Sequence, residues 1–186
     1  MQRFMTMLAM QLDEFIVDSH ALEIGEFLAK HGRGFLLRCA LDRAPDLIGV
    51  DWDPASRLRK TEFNPRIQPD VLPMNFGSQF SVYRLRPRPG VTVHMTVGRL
   101  VESDVCIPDS SISKRHAKVR LLEGDGFAIM DLNSRNGTVV DQTQLPVRVW
   151  QQLEDSAAVQ LGDMKLTFML GQQFVEFLQK AFGVAA

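Results

Sequence analysis

Residues 97–138 read VGRLVESDVCIPDSSISKRHAKVRLLEGDGFAIMDLNSRNGT, and they decide how the rest of the chain is read. Three polar clusters interrupt runs with the character of β-strands. The first is Gly98-Arg99, the second Ser113-Lys114-Arg115-His116, and the third runs from Asp131 to Thr138. Gly98, Ser113, Asn136 and Gly137 are turn-forming residue types. Arg99, Lys114, Arg115 and Arg135 fall in or beside those turns. Binding groups concentrate on loops held by a rigid sheet. Turn N–H groups, a serine hydroxyl and several guanidinium or ammonium groups together suit a phosphate.

Working outward, alternation, partial in the first, predicts strands at Phe80–Leu85, Val91–Val97 and Ala117–Leu121, and Val105–Ile107 is a short apolar strand ended by Pro108. Glu123-Gly124-Asp125-Gly126 is a hairpin signal before a return strand at Phe127. Further strands are expected at Val139-Val140, Val147–Trp150, Ala157–Leu161 and Met164–Leu170, with Gly162-Asp163 joining the last two. Many short strands with turns about every ten residues argue for an all-β sandwich.

At Gly98-Arg99, then Ser113-x-x-His116, then Ser134-x-Asn136-Gly137-Thr138, in that order, the chain resembles the forkhead-associated (FHA) domain. Each piece alone is weak; together on a strand-rich background they are specific. The resemblance covers residues 79–171. It implies a mainly β protein, an FHA-type antiparallel β-sandwich that binds phosphothreonine peptides. It makes Arg99 and Ser113 phosphate ligands, with Lys114 and Arg135 also at the phosphate. Asn136 is then the residue that holds the peptide backbone. His116 braces the loops, and Gly98 and Gly137 permit tight turns. Gly162-Asp163 is similar to the family's turn before its closing strand. Asp141 departs from the pattern, where many members carry Asn.

The remaining chain is less specific. Met5, Leu8, Leu12, Phe15 and Ile16 mark one helical face. Asp18 or Ser19 is expected to cap a second helix, with Leu22, Phe27 and Leu28 buried and Gly32 as its stop. The apolar run Phe35–Leu41 leaves helix and strand undecided. Residues 1–52 are therefore expected to be an N-terminal helical segment, packed on the sandwich or serving as a partner-binding module. Pro54, Pro65, Pro69 and Pro73 make 53–78 an extended linker, with Arg57, Arg59 and Lys60 as solvated cations. A chain truncated to begin near Asn75 is then expected to fold. Phe174, Phe177, Leu178, Ala181 and Phe182 predict an amphipathic helix over 172–186, packed on the sandwich or docking a partner.

Composition bounds the function. With 45% hydrophobic and 23% charged residues the chain is an ordinary globular protein. A net charge of −1 gives no global attraction to nucleic acid or an anionic membrane. Cys39 and Cys106 have no metal-type spacing and read as core residues of a reducing, cytoplasmic compartment. No run is long enough to span a bilayer, and Gln11, Asp13 and Glu14 break up a possible signal segment. His20 and His31 stand eleven apart with no third ligand nearby, so exposed or capping roles are expected and no metal or other cofactor. Ser113, His116 and Asp131 could suggest a hydrolase, but there is no nucleophile elbow or phosphate-binding glycine loop, so no enzyme activity is expected. The expectation is a signalling adaptor, acting by protein–protein interaction, whose partner is a threonine-phosphorylated protein, a Ser/Thr kinase or its substrate. The alternative is a phosphate-independent scaffold.

Overall fold

The computed structural model describes residues 12–39, 80–87 and 94–182. The linker 53–78, the first residues of the N-terminal pattern and strand residues 91–93 lie outside these. Two helices open the described chain, α1 (Leu12–Ala21) and α2 (Ile24–His31). Eleven strands follow: β1 (Gly34–Cys39), β2 (Phe80–Arg84), β3 (His94–Gly98), β4 (Val105–Cys106), β5 (Ala117–Leu121), β6 (Phe127–Asp131), β7 (Thr138–Val140), β8 (Thr143–Gln144), β9 (Trp150–Leu153), β10 (Ala158–Leu161) and β11 (Met164–Leu170). Helix α3 (Gly171–Phe182) closes it. None of these helices is long and apolar enough to cross a membrane.

The strands form a sandwich of two sheets, ordered β2-β1-β11-β10-β7-β8 and β4-β3-β5-β6-β9. Alternate residues from both inner faces fill the core between them, including Leu36, Val97, Val119, Ile129, Val159 and Phe168. A second core lies on the other side of the six-stranded sheet, where Phe15, Phe27, Phe35, Phe174 and Leu178 are fully buried. There Phe35 and Phe174 stack at 4.2 Å, and Phe15 meets Phe174 edge-on at 5.5 Å.

Strand β1 settles the region that periodicity left open. The residues expected within the N-terminal helical segment include a strand paired on both sides, Phe35 opposite Met169 of β11 and opposite Arg84 of β2. Leu36 faces the inter-sheet core, and Phe35 and Leu37 face the helices. A strand covered on both faces is apolar at consecutive positions, so alternation disappears. The helices likewise pack on the sheet through their apolar faces.

Other expectations shift. Asp18 and Ser19 do not cap the second helix, because α1 runs through both to Ala21; the residue before α2 is Glu23. The Ser19 hydroxyl bonds back to the Ile16 carbonyl. Asp18 receives Lys30 and His31 from α2, each at 2.5 Å. His31 is neither exposed nor a cap; it is buried between the Phe15 and Phe27 rings. Gly32 does end α2, at φ 106, donating to the Leu28 carbonyl. The strand expected over Val147–Trp150 begins only at Trp150, since Arg148 turns the chain at φ 61. Strand β8 went unseen because two residues make it, entered through Asp141 and Gln142 at φ 47 and 66. The Asp141 side chain accepts the Ala158 N–H, at 3.0 Å.

Candidate phosphopeptide site

Strands β3, β5, β6 and β7 meet at one end of the sandwich, and all three polar clusters lie there. The pairings Val97↔Ala117 and Ala117↔Asp131 put the three loops side by side. The turn between β10 and β11 joins them, because Leu161 pairs with Thr138, where the third loop ends.

Backbone and side-chain hydrogen bonds lock this apical end. Arg99 N–H donates to the Ser113 carbonyl at 3.1 Å, tying the first loop to the second. Only glycine fits at Gly98, where a Cβ would stand 2.2 Å from the Lys114 carbonyl oxygen. His116 is fully buried and connects the second loop to the third. Its Nδ1 accepts the Ser113 N–H at 3.0 Å, and its Nε2 donates to the Gly137 carbonyl at 3.0 Å. That carbonyl also accepts the Gly162 N–H at 3.1 Å, fastening the β10–β11 turn. Burial pushes the His116 pKa below its ordinary value, against the Gly137 bond and the charge of Asp131. The ring is therefore neutral, as its acceptor role at Nδ1 requires.

Asp131 organises the third loop. Its carboxylate accepts the Ser134 N–H at 3.0 Å, the Ser134 hydroxyl at 2.6 Å and the Thr138 hydroxyl at 2.7 Å. Burial raises its pKa, but these donors outweigh that and hold the group below the usual carboxylate range. Sequence reasoning assigned Asp131 no supporting role, although Asp, Asn and Ser in one short loop are the residue types whose side chains bond nearby backbone. Ser111 was also missed. Its carbonyl accepts the Asn136 side-chain amide at 2.8 Å, and its hydroxyl receives the Asp163 N–H at 3.1 Å.

These bonds leave a set of groups facing out. Arg99, Lys114, Arg115, Arg135 and Asn136 are exposed, and Ser113 is half-buried. Among the described residues no ion pair involves Arg99, Lys114 or Arg135. Ser113 Oγ accepts the Arg135 N–H at 2.9 Å, which leaves its own hydrogen to donate. Asn136 keeps its side-chain carbonyl and one amide hydrogen. A hydrolase arrangement is not built here: His116 turns both nitrogens to backbone groups, and Asp131 meets Ser134 and Thr138.

A family model described as FHA domain matches residues 95–162. Over 100 residues the chain is 34% identical to the oxoglutarate dehydrogenase inhibitor of Corynebacterium efficiens, covering 51% of this chain and 68% of that protein. The chain belongs to the FHA-domain family. The FHA sequence is also 37% identical over 76 residues to the glycogen accumulation regulator GarA of Mycolicibacterium smegmatis, covering 41% of this chain and 46% of that one. Among solved structures, the FhaA FHA domain in complex with an intracellular domain of another protein is similar at 29% identity, covering 47% of this chain and 86% of that one, with a TM-score of 0.39. In this FHA domain Gly98-Arg99, Ser113 to His116 and Asn136-Gly137-Thr138 lie at the apical end.

Proposed function

We propose that the apical loops bind a peptide segment phosphorylated on threonine, and that the protein acts as a signalling adaptor downstream of a Ser/Thr kinase. Arg99, Lys114 and Arg135 supply the charge for the phosphate, and Ser113 its hydroxyl. Asn136 takes the backbone of the peptide, while Gly98, His116 and Gly137 hold the loops in place. One observation carries this reading: exposed cations with no ion pair among the described residues, and a hydroxyl hydrogen, lie on adjoining loops that are already hydrogen-bonded into position. Preorganised donors lose little entropy on binding, and charge-assisted bonds to phosphate are the strong ones. Relatives named as an inhibitor and a regulator suit a role exercised by binding rather than by turnover. We read that role as a cytoplasmic one, exercised where such a kinase meets its substrates.

The test is a pair of isotherms with threonine peptides from a degenerate library, phosphorylated and not. Binding is expected only with phosphate, and weaker below about pH 6, where phosphate loses its second charge. Equal affinity for both peptides would favour the phosphate-independent scaffold.

A further inference from the structure

The helices pack on β1, β2 and β11 of the six-stranded sheet, whereas the outward residues of the five-stranded sheet remain mostly half-exposed. The upper row of that face lies directly beneath the apical loops. It reads Thr96, Lys118, Met130 and Trp150, each paired with the next across the strands. The indole of Trp150 lies across the sheet. The His94 ring stacks on it at 5.7 Å and 20°, and the Arg120 guanidinium sits 4.5 Å from its centre. Ala128, on the same outward face, is covered to 2% exposure.

Charge is segregated here. The chain carries 21 cations and 22 acids, yet this face and its rim hold Lys118, Arg120 and Arg148, none of them in an ion pair among the described residues. The acid at its edge, Asp104, is engaged by the Thr96 N–H and hydroxyl at 2.7 and 2.8 Å. At the rim Val147 and Val149 are 48% and 51% exposed on either side of Arg148. The Arg148 N–H is bonded to the Asp131 carbonyl at 2.9 Å, so this rim continues into the third apical loop.

We propose that this face is a second docking surface, taking an acidic stretch with apolar side chains from the same partner whose phosphothreonine enters the apical loops. The inference rests on the phosphopeptide reading. An arginine held over an indole gives up little rotamer freedom when it binds a carboxylate. Val147 and Val149 offer apolar contact beside it. A tethered second contact adds affinity because the first has already paid for encounter. A nucleic acid would call for a wider basic footprint than three cations on a chain of net charge −1.

The experiment is an NMR titration of the full chain with two synthetic phosphothreonine peptides. One carries a tail of Asp, Glu and Leu; the other has Ser and Gly in the same places. Shifts at Arg99, Ser113 and Asn136 report the apical site. Shifts at the Trp150 indole N–H and Lys118 report the sheet face. The acidic tail is expected to move the sheet-face signals and tighten binding about three- to tenfold. Arg120→Gln and Lys118→Gln are expected to abolish that gain while leaving affinity for the neutral-tailed peptide unchanged. Both variants retain Trp150, and an unchanged thermal melt of each shows that the fold is preserved. Equal affinity for the two peptides overturns the proposal, as does a gain that survives both substitutions. Sheet-face shifts that follow protein concentration, or that a single-stranded oligodeoxynucleotide reproduces more strongly, assign the face to a second copy or to nucleic acid and overturn it too. Sheet-face shifts with silent apical loops would keep the acidic docking surface and remove the phosphopeptide reading.

Discussion

The helix-covered side of the sandwich and its apical end are held by different forces. On the covered side, phenylalanines from α1, α2, α3, β1 and β2 fill a second core. At the apical end, the side chains of His116, Asp131 and Ser111 satisfy backbone groups one by one, and the cations stay in solvent. Area burial dominates the first region and directional bonds the second. Damage to the first should therefore appear in stability, and damage to the rim of the second in binding.

The largest effect expected is loss of the covered side altogether. A chain beginning near Asn75 lacks β1, so β2 and β11 lose their shared partner and α3 loses the helices against it. This reverses the expectation drawn from the proline-rich stretch. Such a fragment should aggregate or stay unfolded, which circular dichroism and gel filtration will show; a cooperative melt would mean that β1 is dispensable. The single-residue version is Phe174→Ala. Truncating a buried Phe costs about 3–5 kcal/mol, a large part of the roughly 5–15 kcal/mol that stabilises a domain. The variant should melt early yet, where still folded, bind the phosphopeptide normally.

The rim behaves oppositely. Removing a charge-assisted contact of about 1.5–3 kcal/mol corresponds to about ten- to a hundredfold in affinity. Arg99→Ala should lose that much phosphopeptide binding in calorimetric titration, with an unchanged melt, because its side chain is exposed. An early melt with normal binding would reassign Arg99 to the scaffold.

These two regions also differ in how far the sequence disclosed them. The apical loops were legible because their work is done by residue types at fixed turn positions. Gly98, Ser113, His116, Asn136 and Gly137 all fall at the one end of the sandwich where β3, β5, β6 and β7 meet. Their supports were harder to see: Ser111 meets Asn136 through its backbone carbonyl, which any residue possesses, and its hydroxyl meets Asp163, 52 residues further on. On the covered side, α3 was legible because one of its faces meets solvent. Strand β1 was not, since burial on both faces removes the alternation that marks a strand. Its partner β2 is 40 residues further on, so no hairpin signal joined them. The sandwich core between the sheets followed from alternation at Val97, Val119 and Ile129, where the other face stays polar or half-exposed.

His116 lies between the two behaviours, being a core residue that serves the site. His116→Ala leaves the Ser113 N–H and Gly137 carbonyl without their partner, a cost of about 1–3 kcal/mol. Stability should fall first, and affinity only as the loops loosen. Thermal melts and titrations of this variant beside Arg99→Ala separate the two. Weak binding with an unchanged melt would place His116 at the ligand.

The smallest effect concerns acid, and its sign follows from the same ring. Burial lowers the His116 pKa in the folded chain below the ordinary value of about 6.5. Between those two values the unfolded chain binds more protons, so stability rises with pH. The contribution is complete above about pH 6.5 and is lost as pH falls toward the folded pKa. Protonation also removes the acceptor at Nδ1, so the Ser113 N–H loses its bond. Asp131, whose pKa is depressed, contributes in a separate and lower window: its share is present above about pH 3.9 and disappears as pH drops through its folded pKa. From pH 7 to 5 the melt should therefore fall by a few degrees, since about 1 kcal/mol moves a chain of this size by roughly 2–4 °C. His116→Asn cannot titrate and should flatten that dependence, at a lower starting stability. Phosphopeptide affinity should still weaken over the same interval in both proteins, because the phosphate itself gains a proton near pH 6. If the variant and the parent lose thermal stability in parallel from pH 7 to 5, another group carries the acid sensitivity and the neutral ring is not the link between the loops and the core.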